Sequence, residues 1–562
     1  MSGARAGWLL AALAAGCAGA PPEANFRVGA PEPAREAPAP LDAKAPAGPP
    51  EGAPAKTGTP IETTEDVSNT SELKNAPRAD ADNPTSGGDA AAALNPNNTN
   101  SPAASPKARI TSTGYTTWIF GRPKADTKYI GYIRVGESIA LRSTERVKGE
   151  GCPGRFYAIE PHGFICADRT VTENPEPRFL QAIDATRASS GPFPYRYAIS
   201  GGAPMYNRVP KPAEQAKAER LLGPAGKWTP LIKTLSAHED LAEPKRIDPV
   251  DPLPPFLAGG VPILDTRLGL VREKIPHGSM LSFTRAFEAE GRTWLLSADL
   301  SIVPADRVRH FRPSAFQGTR LQGEVKLPLA WMRKTPKPKH RMTETGALEA
   351  LPASWPARSF VGLTGASVEH KGVMYLETTD REGGRPFFIA SDDATVVSPA
   401  KKRPAGVAPG QKWIHVRITQ GTLVAYEDMK PVFATLMSPG SGGVPVKGYD
   451  PVKMSTTPTG TYYVTFKDRA ATMSPDKPGE ERTLWIADVP HTQYFNPPFA
   501  IHAAYWHERF GEPTSAGCVN VSPLDAEALF EWSDPKVPEG WQGATGSGAP
   551  MNGPTTAVVV SR

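Results

Sequence analysis

The sequence has no long run of Lys or Arg, and its 63 basic residues nearly balance 58 acidic ones, for a net charge of only +5. Nothing in that balance calls for a nucleic-acid partner. Long apolar runs are missing as well. The one apolar stretch of note, residues 6–16, falls short of the roughly 20 residues that a spanning helix needs. The composition is also poor for a helical protein: 62 prolines and 52 glycines suit short strands, turns and linkers. Cysteine is scarce, with only Cys17, Cys152, Cys166 and Cys518. What remains is a chain of 562 residues, too long for one core, so several domains are expected.

Arg5 followed by the apolar stretch 6–16 reads as a signal peptide over residues 1–20. Its end, Leu13-Ala14-Ala15-Gly16-Cys17, resembles a bacterial lipoprotein cleavage box. That resemblance implies a lipid anchor on Cys17, contact with a membrane through it, and a periplasmic place in the cell envelope. Simple cleavage after Ala18-Gly19-Ala20 is the alternative. Residues 21–107 contain one aromatic residue, Phe26, and cannot bury a core. They read as a disordered tether spanning on the order of 50 Å.

Between residues 108 and 175 short β-rich runs alternate with Gly- and Pro-containing turns. Cys152 and Cys166 lie 14 positions apart there, and a local disulfide is expected between them. This segment resembles the bacterial SH3-like modules of envelope proteins. Residues 176–250 read as a connector with one short helix near 213–222. Residues 251–305 and 306–405 read as second and third SH3-like segments, with plain spacers as the competing reading. Residues 406–562 form the last unit. Its opening stretch, Trp413-Ile414-His415-Val416-Arg417-Ile418, alternates at period two and predicts a sheet with one buried face.

The chemistry concentrates in two places, His502 and the turn Ser515-Ala516-Gly517-Cys518. Cysteine attacks as thiolate, and a free thiol of pKa about 8.5 is mostly protonated at neutral pH. A nearby imidazole supplies the missing base. The small residues before Cys518 permit close backbone approach, so that the Gly517 and Cys518 amides are candidates for an oxyanion site. After it, Ser522-Pro523-Leu524-Asp525 reads as a capping box opening a helix. If Cys152 and Cys166 pair, Cys518 is left over from that pairing, which marks it as reactive.

This stretch resembles the L,D-transpeptidase catalytic domain family, whose signature is a His followed by a Ser-His-Gly-Cys turn. Thr457-Pro458-Thr459-Gly460 matches the family's upstream Thr-Pro-x-Gly pattern. The resemblance implies Cys518 as nucleophile, His502 as proton donor and acceptor, and Gly517 as an oxyanion amide. It places Ser515, Asn520 and Tyr494 about the substrate, and His507, five residues after His502, is a further substrate-binding candidate by its nearness in sequence. The departure is Ala516, where relatives carry His. The implied architecture is mainly β and multidomain. Small SH3-like barrels precede a β-sandwich-like L,D-transpeptidase domain with one short helix after the cysteine. The implied reaction joins peptidoglycan stem peptides by acyl transfer, without cofactor or metal. Two other readings stay open. His502, His507 and Cys518 form a conceivable zinc set, though their spacing matches no common pattern. A non-catalytic wall-binding lipoprotein with a degenerate transpeptidase domain is the rival from another class.

Overall fold

The computed structural model describes residues 107–262, 269–475 and 482–562. Cys17, the signal peptide and the tether lie outside the described residues. The protein is mainly β. Among the described residues the α-helices are Pro177–Thr186, Pro212–Ala218 and Pro523–Trp532. None of these is long and apolar enough to cross a membrane.

Among the described residues the strands fall into four sheets of three, sixteen, six and seven strands. The segments expected as SH3-like modules do not close into separate barrels. Strands Thr116–Phe120 and Tyr129–Arg134 from the first, and Met280–Ala289 and Arg292–Ser297 from the second, enter the sixteen-stranded sheet. So do strands Phe466–Met473, Ile486–Asn496 and Phe499–Ala503 of the last unit. The joins are specific: Gly131 and Tyr132 pair with Ala544 and Gly543, and Met280 pairs with Ile486. Gly131 is needed at its join, because a Cβ there would meet the Gly543 carbonyl and the Trp541 ring at 2.5 Å. Cys152 and Cys166 form a disulfide with a Cα–Cα separation of 5.7 Å. Residues 329–397 form the seven-stranded sheet, with a core of Ala330, Met332, Trp355, Val361, Phe387 and Ile389 on one side and Leu329, Trp331 and Val397 packed into the core shared with Trp413 and Tyr426.

In the last unit Lys412–Arg417, Thr422–Glu427 and Lys430–Leu436 form an antiparallel meander. The terminal strand Ala557–Ser561 runs parallel beside Lys412–Arg417. Ile414, Val416, Ile418, Leu423 and Ala425 of this sheet pack against Ile501, Ala503, Val519 and Val521 of the other. Ala526 and Leu529 of the helix Pro523–Trp532 complete that core. The opposite face is covered too. Trp413 is buried there and stacks on Tyr426 at 4.1 Å.

Candidate active site

Strand Phe499–Ala503 carries His502, and the parallel strand Val519–Val521 follows Cys518 directly. Their register pairs Ile501 with Val519 and His502 with Asn520. Side chains alternate along a strand. Ile501, Ala503, Val519 and Val521 therefore face the core, and Ala500, His502, Cys518 and Asn520 share the other face. The Cys518 sulfur accepts the Ala500 N–H at 3.4 Å and lies 4.0 Å from the Pro498 carbonyl. It is fully buried. Cys518 is disulfide-bonded in this structure, which corrects the expectation of a leftover thiol. Only the reduced form of Cys518 has a thiol that can attack a carbonyl.

The turn before Cys518 is held from two sides. Strand Lys430–Leu436 continues past its end, so that Ser438 exchanges both backbone hydrogen bonds with Asn520, at 2.8 and 3.0 Å. Ser441 N–H donates to the Ser515 carbonyl at 2.7 Å, and Ser515 N–H to the Pro439 carbonyl at 3.0 Å. The Thr-Pro-x-Gly stretch braces this clamp, since Thr457 Oγ1 accepts the Gly440 N–H at 2.9 Å. Within the turn, Ser515 Oγ donates to the Cys518 carbonyl at 2.6 Å and accepts the Gly517 N–H at 3.0 Å. The Gly517 amide assigned to an oxyanion is thus already engaged by Ser515. Gly517 itself has φ +125°, and a Cβ there would stand 2.6 Å from the Phe499 ring.

His502 is buried, and its Nδ1 lies 3.0 Å from the Ala503 carbonyl. A carbonyl only accepts, so Nδ1 carries the proton and Nε2 presents a lone pair. Burial pushes the imidazole pKa down to about 4, against which the Ala503 bond works. The ring is therefore a neutral base at pH 7 rather than half of a resting ion pair.

His507 does not line the cleft. It is fully buried, and its Nδ1 accepts the Arg509 N–H at 3.2 Å. The proton of the neutral ring then sits on Nε2, which lies 3.0 Å from the side-chain amide of Asn520. The Asn520 atom facing it must be the acceptor Oδ1. This leaves the Asn520 NH2 group in the remaining amide position, which is buried without a protein partner. Burial, with His238, Arg509 and His502 nearby, pushes the His507 pKa down to about 3, so this assignment holds at working pH.

His502, Ser515, Ala516 and Asn520 line one cavity of about 180 Å³, together with Trp506. Tyr494 does not line it. It is buried in a cluster with Ala500, Cys518, Phe466 and Tyr132. Trp118 and Tyr129 pack against that cluster, so the first β segment reaches the neighbourhood of the cysteine. Several lining residues carried no signal in the sequence, among them His238, from the connector. Its Nδ1 is sealed without a hydrogen-bond partner, and burial with Arg509 nearby pushes its pKa down to about 4. The connector is fixed here by a bidentate Arg509–Asp240 pair, both contacts 2.6 Å, and by Leu241 N–H donating to the Trp506 carbonyl at 3.2 Å. Among the described residues no group of three or more His, Cys, Asp or Glu side chains is arranged to hold a metal ion.

Residues 411–559 match the family model of the L,D-transpeptidase catalytic domain, YkuD. That stretch is identified as a domain of this family and makes up about a quarter of the chain. Similar solved structures include an L,D-transpeptidase from Stackebrandtia nassauensis, 23% identical, covering 29% of this chain and 62% of that one, TM-score 0.18. The L,D-transpeptidase of Xylanimonas cellulosilytica is 24% identical, covering 30% of this chain and 71% of that one, TM-score 0.19. L,D-transpeptidase 3 from Mycobacterium tuberculosis is 18% identical, covering 38% and 74%, TM-score 0.18. The chain spans 62% of the length of the first of these. No curated protein matches the sequence. At such identities and TM-scores, the family match alone bears on function.

Proposed function

We propose that this protein is a peptidoglycan L,D-transpeptidase working through Cys518. The observation that carries the reading is the placement of His502 and Cys518 on one face of paired parallel strands, inside the segment matching the family. In the reduced enzyme His502 Nε2 takes the thiol proton as the sulfur attacks the carbonyl preceding a terminal D-alanine. The C–N bond breaks, His502 returns the proton to the departing amine, and a thioester remains on Cys518. An amine of a second stem peptide then forms the new amide and frees the thiol. His502 is neutral at rest, so proton transfer accompanies attack and no standing thiolate is required. Export to the cell envelope belongs to the same proposal, as does a lipid on Cys17 in the form whose Cys518 is reduced.

The test is acylation of the reduced full-length protein by a carbapenem, read by intact mass. A covalent adduct that disappears in Cys518→Ala supports the enzyme. Complete absence of adduct in reduced wild type favours the rival reading, a wall-binding protein with a degenerate domain. The observation favouring that rival is Ala516 in place of the family His, together with the engaged Gly517 amide.

A further inference from the structure

Tyr505 and Trp506 pack edge to face at 5.0 Å, and each lines a different cavity. Trp506 faces the His502 cavity. Tyr505 lines a larger one of about 480 Å³, within the range that holds small ligands. Most of that lining comes from residues 187–313, outside the segment matching the family.

The larger cavity is cationic and aromatic. Arg187, Arg196 and Arg312 line it with Phe193, Phe283 and Tyr505, and no Asp or Glu does. Arg187 is paired with Asp184 at 3.1 Å and Glu137 at 3.7 Å, whereas the carboxylates behind Arg312 and Arg196 are shared. Glu508 meets Arg312 at 3.2 Å but also Arg358 at 3.3 Å. Asp251 accepts the Ala286 N–H at 2.8 Å and meets Arg285 at 3.4 Å, and it comes no nearer to Arg196 than 3.9 Å. The Arg196 guanidinium lies 4.6 Å over the Phe283 ring. Its partial burial lowers its pKa, a penalty that Asp251 offsets only in part. A guanidinium stacked on a ring and weakly neutralised has its fork of donors available to a carboxylate.

We propose that this cavity binds an acidic peptide, with a peptide carboxylate on Arg196 and an apolar side chain against Phe193. The inference rests on the transpeptidase reading, under which the ligand is an acidic stem peptide held away from the reacting end. Tyr505, stacked on Tyr197 at 3.8 Å, then joins the two cavities through Trp506.

The experiment uses full-length protein with Cys518→Ala, so that nothing turns over. An acidic stem tetrapeptide with free carboxylates and its fully amidated counterpart are titrated by calorimetry at low and high salt. The free-acid peptide should bind at least tenfold tighter than the amide, with the advantage shrinking as salt rises. Arg196→Gln should remove that advantage, and Phe193→Ala should weaken both peptides. Arg312→Gln serves as a second charge variant should Arg196→Gln lose its fold by circular dichroism. Equal binding of acid and amide, no binding at all, or an advantage unchanged in the arginine variants overturns the inference. The two readings fail separately. A missing carbapenem adduct on wild type removes the transpeptidase, whereas an adduct with no arginine-dependent peptide binding removes only this site.

Discussion

Ser515 holds the turn together through Cys518: its hydroxyl donates to the Cys518 carbonyl at 2.6 Å while accepting the Gly517 N–H at 3.0 Å. A role in substrate contact is secondary to this, because Ser515 is buried and both hydroxyl functions are used inside the turn. Ser515→Ala removes two hydrogen bonds and orphans a buried amide and carbonyl. The expected loss of stability is roughly 2–3 kcal/mol. Carbapenem acylation should slow by about tenfold or more, as the cysteine loses its fixed position. Ser515→Thr keeps the hydroxyl and should recover most of the stability loss measured by urea unfolding. If Ser515→Ala matches wild type in both measurements, the turn does not depend on this hydroxyl.

Gly517 answers to two constraints at once. Its φ of +125° is a region that side chains rarely adopt, and a Cβ would press on Phe499 at 2.6 Å and on the Thr456 carbonyl at 3.1 Å. Gly517→Ala should cost roughly 2–5 kcal/mol, adding backbone strain to overpacking. The unfolding midpoint in guanidinium reads this directly. A loss below about 0.5 kcal/mol would mean the turn relaxes freely.

Much of the last unit was legible in the sequence because short-range rules decide it. The alternation at 412–418 put Ile414, Val416 and Ile418 in the core, where they are. Ser522 before Pro523 announced the helix, and its hydroxyl does accept the Asp525 N–H at 3.1 Å. The return half of the capping box is absent. The Asp525 carboxylate accepts instead from Thr435 Oγ1 at 2.6 Å and from Gly318 N–H at 2.7 Å. Gly318 lies 207 positions away, and no local pattern predicts a partner at that distance. The same limit hid Tyr132 beside Cys518, His238 in the cleft and Trp413 buried on the second face of its sheet. Each depends on segments that meet only through tertiary packing. The separate barrels were over-read for a related reason. Short strands with turns fit a closed barrel or a contribution to a shared sheet equally well, and edge pairing such as Gly131–Ala544 leaves no mark in sequence.

The buried histidines set a pH dependence whose sign is determined. His491, His502 and His507 have folded pKa values near 4, 4 and 3, below the ordinary 6.5, so the unfolded chain binds protons first. Their stabilising contribution is complete above pH 6.5 and is lost as pH falls toward 4. Each is worth on the order of 3 kcal/mol at the acid end. Asp525 acts oppositely. Burial raises its pKa to about 6, so the native state takes that proton first and is relieved below pH 6. His238 and His415 are likewise held near 4, so five histidines outweigh the raised buried carboxyls Asp525 and Asp468, and the melting temperature should fall from pH 7 to pH 4. His491→Asn, a residue that tolerates the positive φ at this position, should flatten that fall. Acylation rates should persist below pH 6, since His502 stays neutral there. An acid limb centred near 6.5 would contradict the buried base.

The orientation of Asn520 gives the most discriminating test, because the two amide positions imply opposite chemistry for whatever occupies the cleft. His507 accepts from Arg509 through Nδ1 and must donate through Nε2, which fixes Oδ1 of Asn520 toward it. The group left for a ligand is then a donor, suited to a carbonyl or carboxylate oxygen. Asn520→Asp preserves shape and keeps an acceptor for His507, but replaces that donor with an anionic oxygen. It should lower carbapenem acylation at least as much as Asn520→Ala, by roughly tenfold to a hundredfold, equivalent to about 1.4–2.8 kcal/mol in the barrier. Were the amide turned the other way, the ligand would already meet an acceptor and Asn520→Asp would disturb only the contact with His507, so it would acylate faster than Asn520→Ala. His507→Gln, which retains one donor and one acceptor, should keep more activity than His507→Phe, which retains neither. The difference should appear mainly in the carbapenem concentration for half-maximal rate, as expected when a residue positions a binding group without touching the reacting atoms. Near-equal half-maximal concentrations in the two His507 variants would separate His507 from the orientation of Asn520.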